Sequence, residues 1–148
     1  LQQRTYAALE PAMSVLTSTR PLPRTATRTG QALTVFLTLF FLFDSLPKLL
    51  QLPAVVEATT QMGFAPSAVP IIGAVLLVCL VLYLVPRTAI LGAVLLTGYL
   101  GGAVCAQLRI EAPLFSTMLF PVYFGVVVWV ALYLRSPQLR KLVAASLS

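Results

Sequence analysis

Four long apolar runs separated by short polar breaks organise the chain: Ala32–Leu50, Ala68–Val85, Ala89–Leu108 and Leu114–Leu134. Each approaches the ~20 residues that a helix rising ~1.5 Å per residue needs to cross a ~30 Å hydrocarbon layer. None alternates apolar and polar residues with period two, as the strands of a membrane β-barrel do. The breaks carry their own signals. Pro53 opens a short amphipathic piece, AVVEATTQM, suited to the membrane interface, and Gly63 ends it. Ser67 is placed to cap the second span, with Pro70 in its first turn. Pro86, Arg87 and Thr88 form a tight turn between the second and third spans, and Glu111, Ala112 and Pro113 another between the third and fourth. Turns this short make neighbouring helices antiparallel. The pattern therefore predicts an all-α fold: an integral membrane antiparallel four-helix bundle over residues 31–135. Residues 1–30, polar and basic, read as a disordered N-terminal tail, and residues 136–148 as a cytoplasmic C-terminal tail. Met13 is a candidate internal start. A secretory signal peptide fits poorly, because the first apolar run is too long and no small-residue cleavage site follows it.

Composition agrees with the pattern. Hydrophobic residues make up 59% of the chain and charged ones 9%, against about a quarter charged in an average soluble domain. The net charge of +6 would suggest nucleic acid in a soluble protein. Here the cations stand at segment ends, where they set topology, and no nucleic-acid partner is expected. With the N-terminus inside, the inner side carries Arg4, Arg20, Arg24, Arg28, Arg87, Arg135, Arg140 and Lys141, and the outer side only Lys48 and Arg109. This asymmetry predicts both termini in the cytoplasm. Tyr83, Trp129 and Tyr133 fall near the inner boundary, as an aromatic belt would.

The chain has no His, two Cys without a CxxC spacing, and four acids. His-based acid–base chemistry, haem ligation by His and the usual zinc sites are thereby excluded. No metal site, catalytic residue or resident cofactor is expected. Cys79 and Cys105 lie at depths of ~12 and ~27 Å from the inner turn, too far apart for a disulfide.

Several positions could still carry function. Asp44 and Lys48, spaced i, i+4 on the first span, share a helix face. Asp44 is ~18 Å along its helix and so near mid-membrane, where an ionisable group is costly unless paired or hydrated. Two readings stand: an internal ion pair that orients the first helix, or a ligand or proton site. Pro47 between them frees the Phe43 carbonyl and favours a local kink. Tyr99 lies at similar depth on the third span, and Asp44 is the first candidate partner for its hydroxyl. Gln107, Arg109 and Glu111 could line an outward-facing polar mouth or serve as plain interfacial anchors. Gly92, Gly98, Gly101, Gly102 and Ala106 give the third span a small-residue face, with GxxxG at Gly98 and Gly102. That face suits close packing inside the bundle, a partner helix or a flat ligand. Pro121 is expected to kink the fourth span, with Tyr123 nearby.

The stretch from Phe41 to Arg135 resembles the DoxX-like family of small bacterial membrane proteins. The residues that carry the likeness are FLFDSLPKLL, PAVVEATTQMGF, LVCLVLYLVPRTAILGAVLLTGYLGGAV, and APLF followed by LFPVYFGVVVWVALYLR. The resemblance implies a four-helix bundle in the bacterial inner membrane. Its relatives include a subunit of a thiosulfate–quinone oxidoreductase, a membrane partner of oxidative-stress proteins and, more distantly, eukaryotic membrane chaperones and cargo receptors. The family's characteristic pieces map here onto Asp44 and Lys48, Pro86–Arg87, and the Gly98–Gly102 stretch. Two positions depart from it. Members often carry Thr-His before the Arg that ends the third span, where this chain has Ala106-Gln107 before Arg109. Many also have a Glu in the second span, where this chain has Leu76. Both departures favour a non-catalytic role. The leading expectation is an accessory subunit packed against other membrane protein subunits, in or beside a redox or electron-transfer complex. The first alternative is an oxidoreductase subunit holding quinone or lipid near Asp44, Lys48, Tyr99 and Arg109. A small transporter or a membrane chaperone comes after these.

Overall fold

The structure, a computed structural model, describes residues 22–147 and is helical, with no strand among the described residues. In chain order the helices are α1 (Arg24–Leu49), α2 (Pro53–Gln61), α3 (Ala68–Leu84), α4 (Ala89–Arg109), a π-helical turn (Leu114–Met118), α5 (Phe120–Arg135) and α6 (Pro137–Leu147). Three stretches, Arg24–Leu49, Ala89–Arg109 and Leu114–Arg135, are long and apolar enough to cross a membrane. α3 is apolar but has 17 residues, at the short end of what spans a bilayer. Large apolar side chains stand exposed along every one of these helices, among them Val35, Leu39, Phe43, Ile71, Val78, Leu91, Val94 and Val126. Water does not tolerate apolar surface of that extent on a monomer, and a hydrocarbon solvent does.

The four apolar helices touch in a closed cycle: α1 against α3 and α5, and α4 against α3 and α5. Inside it lie Leu37 and Phe41 of α1, Leu76, Leu80 and Tyr83 of α3, Ala93 and Leu96 of α4, and Val128 and Leu132 of α5. Between helices in lipid the driving force is packing rather than water release, so close backbone approach decides the contacts. Three glycines provide it. A Cβ on Gly92 would collide with the backbone of Tyr83 and Leu82. One on Gly73 would lie 2.8 Å from Lys48 Cβ, and one on Gly30 2.8 Å from Leu134 Cβ. These contacts set the start of α1 beside the end of α5, and the end of α1 beside the start of α3. Hydroxyls on the helices satisfy themselves along their own backbone: that of buried Thr34 donates to the Gly30 carbonyl (2.8 Å) and that of exposed Thr97 to the Ala93 carbonyl (2.8 Å).

α1 begins earlier than the apolar run suggests. Arg24–Gly30, read from sequence as part of a disordered tail, is helical from Pro23 onward; Ala26 N–H donates to the Pro23 carbonyl at 2.9 Å. Pro fixes a φ compatible with helix entry, and Gly30 seats the new turn against α5. Arg4, Arg20 and the rest of that segment lie outside the described residues. The C-terminal segment is likewise a helix, α6, whose Leu139 joins the core. Ser67 holds the N-cap position of α3 but makes no capping hydrogen bond. Pro121 does not kink a continuous fourth helix. It lies at the start of α5, and the span breaks at Leu119, whose N–H reaches back to the Leu114 carbonyl at 3.0 Å to close the π turn. With no N–H and a ring that crowds the preceding turn, proline forces this wider winding.

α1 and α4 end alike. After α1, Gln51 adopts φ 51°, with Gln51 N–H on the Lys48 carbonyl and Leu52 N–H on that of Pro47. After α4, Glu111 adopts φ 51°, with Glu111 N–H on Leu108 and Ala112 N–H on Gln107. Both are Schellman caps with a non-glycine residue in the left-handed position. That conformation costs roughly 1–2 kcal/mol for a residue with a Cβ, partly offset in glycine by its greater unfolded entropy. Gln51→Gly is therefore expected to stabilise the protein by ~0.5–1 kcal/mol, read as a higher thermal midpoint in detergent. A lower midpoint would show that this cap is not the conformation the protein keeps.

Candidate functional site

The ion pair read from the sequence is formed. Lys48 Nζ lies 2.5 Å from Asp44 Oδ2, with the Lys48 side chain 14% exposed and that of Asp44 40% exposed. Helix spacing alone would bring them together. What shields the lysine is α3: Gly73 lets its backbone lie against Lys48 Cβ and the Ser45 carbonyl. Ser45 is fully buried at this contact, its hydroxyl turned to the Leu42 carbonyl at 3.4 Å. The lysine stem is thus packed against α3 and mostly covered, while the Asp44 side chain is the more exposed partner. Among the described residues this is the one ion pair.

Tyr99 of α4 packs on the core and lies within electrostatic reach of Asp44 and of the buried Cys79. The three residues bring α1, α3 and α4 to one neighbourhood. No hydrogen bond joins the phenol to the carboxylate, so the partnership expected for Tyr99 is one of proximity. Cys79 and Cys105 are free thiols, the first buried and the second exposed.

Gln107, Arg109 and Glu111 diverge. Arg109 covers Gly63 in the connection after α2, where a Cβ would stand 3.0 Å from its Cζ. Gln107 turns inward, its Oε1 buried and without a donor. Glu111 forms the left-handed cap. They occupy one end of the molecule without forming a shared mouth.

The small-residue face divides in two. Gly92 is an interhelical contact, but a Cβ on Gly98, Gly101 or Gly102 would meet nothing within 4 Å. These three, expected from their spacing to pack inside the bundle, face away from it, with Ala106 half-buried below them. A helix presents only one arc to its neighbours, and in α4 Ala89, Ala93, Leu96 and Leu100 fill that arc. Beside the open glycines, a groove of about 460 Å³ runs between α4 and α5, lined by Thr97, Leu100, Gly101, Val104, Gly125 and Trp129. Another hollow, about 600 Å³, lies around α2 and includes none of the candidate residues.

Two features escaped the sequence reading. One is an aromatic stack joining α1 to α5, in which Phe40 and Phe124 have ring centroids 4.0 Å apart and Phe120 lies 5.6 Å from Phe40. Phe40 is one turn before Asp44, so the stack borders the ion pair. The i, i+4 spacing of Phe36 with Phe40 and of Phe120 with Phe124 was the available signal. The other lies at the opposite end. Tyr83, expected in an aromatic belt, is fully buried and donates its hydroxyl to the Val128 carbonyl at 3.0 Å. Arg135 donates to the Tyr83 carbonyl, and its guanidinium lies 4.5 Å from the centre of the Tyr83 ring. Trp129 also departs from the belt reading, since its indole N–H donates to Thr97 Oγ1 at 2.9 Å across the α4–α5 seam. The polar tip of buried Tyr83 is answered from α5, across the ring of helices, and that of half-buried Trp129 from the neighbouring α4.

The family model described as the DoxX-like family matches residues 32–131, which takes in all four apolar helices up to Ala131 of α5. The chain belongs to the DoxX-like family. Neither a curated protein nor a solved structure matches it. In this DoxX-like protein the acid–base pair on the first span and the outward glycines of α4 therefore lie within the family region, while the whole of α6 lies beyond it.

Proposed function

We propose that this DoxX-like protein is a non-catalytic accessory subunit of a larger complex in the bacterial inner membrane, folded as an antiparallel four-helix bundle with both termini cytoplasmic. The short connections and the end-to-end pairings made by Gly30 and Gly73 support the antiparallel arrangement. The cations concentrated at the end that holds Arg87 and Arg135 support the orientation. One observation carries the subunit reading: Gly98, Gly101 and Gly102 form a small-residue surface that no described helix of this chain packs against. Such a surface permits close approach by a partner's helix, and the absence of His leaves the chain little chemistry of its own.

Gly98→Ile and Gly102→Ile test this. Each is expected to leave the monomer folded, since neither side chain meets an atom of its own chain, and to release co-purifying membrane subunits in native mass spectrometry of mildly solubilised membranes. Unchanged association would count against the reading.

A second reading has its own support. The partly exposed Asp44 side chain, the neighbouring Tyr99 and the Phe40–Phe124 stack form the kind of polar-edged aromatic setting that suits a quinone or a lipid. Any electrons would come from a partner, because the chain offers no haem or metal ligand set. Retention of a few-hundred-dalton adduct that disappears in Asp44→Asn would favour it.

A further inference from the structure

The end of the molecule opposite the Asp44–Lys48 pair is cationic and unbalanced. Gly30 places the first turns of α1 there, beside the end of α5. Arg24, Arg28, Arg87, Arg135, Arg140 and Lys141 all belong to this end, whereas the described acids, Asp44, Glu57 and Glu111, belong to the other half. Two of the guanidiniums are sunk into the protein. Arg135 Nε and Arg140 Nε and Nη1 are buried and donate to no acceptor. Arg135 spends one of its other donors on the Tyr83 carbonyl, and the Arg140 side chain makes no hydrogen bond among the described residues. A half-buried cation with unanswered donors is unfavourable unless an anion serves it, and an arginine fork matches phosphate oxygens.

The element that carries Arg140 identifies the source of that anion. In α6, Leu139, Leu142 and Val143 recur at helical spacing on one face. Leu139 is buried in the core, but Leu142 is 58% exposed and Val143 also stands open. A short helix with an exposed apolar stripe and flanking cations is built to lie in the headgroup layer. Its apolar stripe and the cations Arg140 and Lys141 would then meet the same lipid.

We propose that Arg135 and Arg140 bind the phosphate of an anionic phospholipid, with α6 lying in the interface as the supporting element. Both residues are only partly buried, so each keeps an exposed part at the edge of the packed region that a headgroup can meet. The site is independent of the partner surface on α4 and of the Asp44 pair, so it stands or falls separately from both readings of function.

The test uses the full chain. In native mass spectrometry with phosphatidylglycerol and phosphatidylcholine at equal concentration, the anionic lipid is expected to be retained about tenfold better, with the preference shrinking as salt rises. Arg140→Gln is expected to lower that preference about fivefold. In phosphatidylcholine nanodiscs the same variant should melt close to the parent, because the choline of a zwitterionic headgroup offsets its phosphate and leaves little net charge to answer the guanidinium. In nanodiscs doped with phosphatidylglycerol it should lose the stabilisation that the parent gains. Lys141→Gln, on the exposed side of α6, should change the preference less. Equal retention of the two lipids, or an unchanged preference in Arg140→Gln, overturns the proposal. Displacement of phosphatidylglycerol by millimolar inorganic phosphate also overturns it, by showing a site for free anions. Should Arg140→Gln fail to fold, the comparison of the two lipids on the parent chain decides alone.

Discussion

Gly92→Ala is expected to cost on the order of 3 kcal/mol and to cut accumulation in the membrane sharply. The added methyl would strike the backbone of Tyr83 and Leu82, which cannot yield as the tip of a flexible side chain can. α4 must then move away from α3, and the movement reaches beyond the pair. Tyr83 sends its hydroxyl to Val128 and receives Arg135 on its carbonyl, so one displaced turn strains the contacts of α3 with α5 as well. Gly98→Ala and Gly101→Ala are the matched controls. Their methyls meet no atom within 4 Å, and alanine is the better helix former by about 1 kcal/mol in water. Thermal unfolding of the three variants in one detergent makes the comparison. Equal stability for Gly92→Ala and Gly98→Ala would mean that α3 and α4 do not meet at Gly92.

Asp44→Asn is expected to destabilise the protein by ~2–3 kcal/mol, because it leaves the largely covered Lys48 side chain without its counter-charge. Breaking a fully buried pair typically costs about 3–5 kcal/mol, and the partial exposure of Asp44 justifies the lower figure. The double variant Asp44→Asn, Lys48→Met should recover most of the loss, since removing both charges removes the desolvation problem together with the attraction. Unfolding of the parent, both single variants and the double variant completes the cycle. Recovery in the double variant identifies a structural pair. If the double variant is stable yet no longer holds a small molecule that the parent retains, the quinone or lipid reading gains. A single variant as stable as the parent would mean that Lys48 has another counter-charge or reaches water.

Sequence pattern located most of the helix boundaries because the signals were local and chemical. Pro86–Thr88 and Glu111–Pro113 fall between helices as expected, and Pro53 and Gly63 bracket α2. The start of α1 was hidden, since Arg24–Gly30 has no apolar run, and only Pro23 marked it. In the candidate site, the Asp44–Lys48 contact was legible because it lies within one helix. The relation of Tyr99 to Asp44 depends on how α4 is rotated, which no local pattern encodes. The glycines show the same limit. GxxxG says that a backbone can be approached closely and not by what, so Gly98 and Gly102 were assigned to a contact that belongs to Gly92. Gly30 and Gly73 carry equal weight in the packing and stand alone in their segments, with no periodic partner to draw the eye.

The four-residue connection Val85–Thr88 bears on how the chain is made. Thr88 Oγ1 bonds the Leu82 carbonyl at 2.8 Å, and Gly92 is already seated on Tyr83 one turn later. A connection this short leaves no slack for α3 to settle before α4 follows, so the two are expected to enter a bilayer together as one helical hairpin. The 17 residues of α3 make a short span by themselves, and its seat on α4 at Gly92 would hold it in place. Integration would then have two stages, with α1 waiting in the lipid until the hairpin presents Gly73 to it, and α5 closing the ring last.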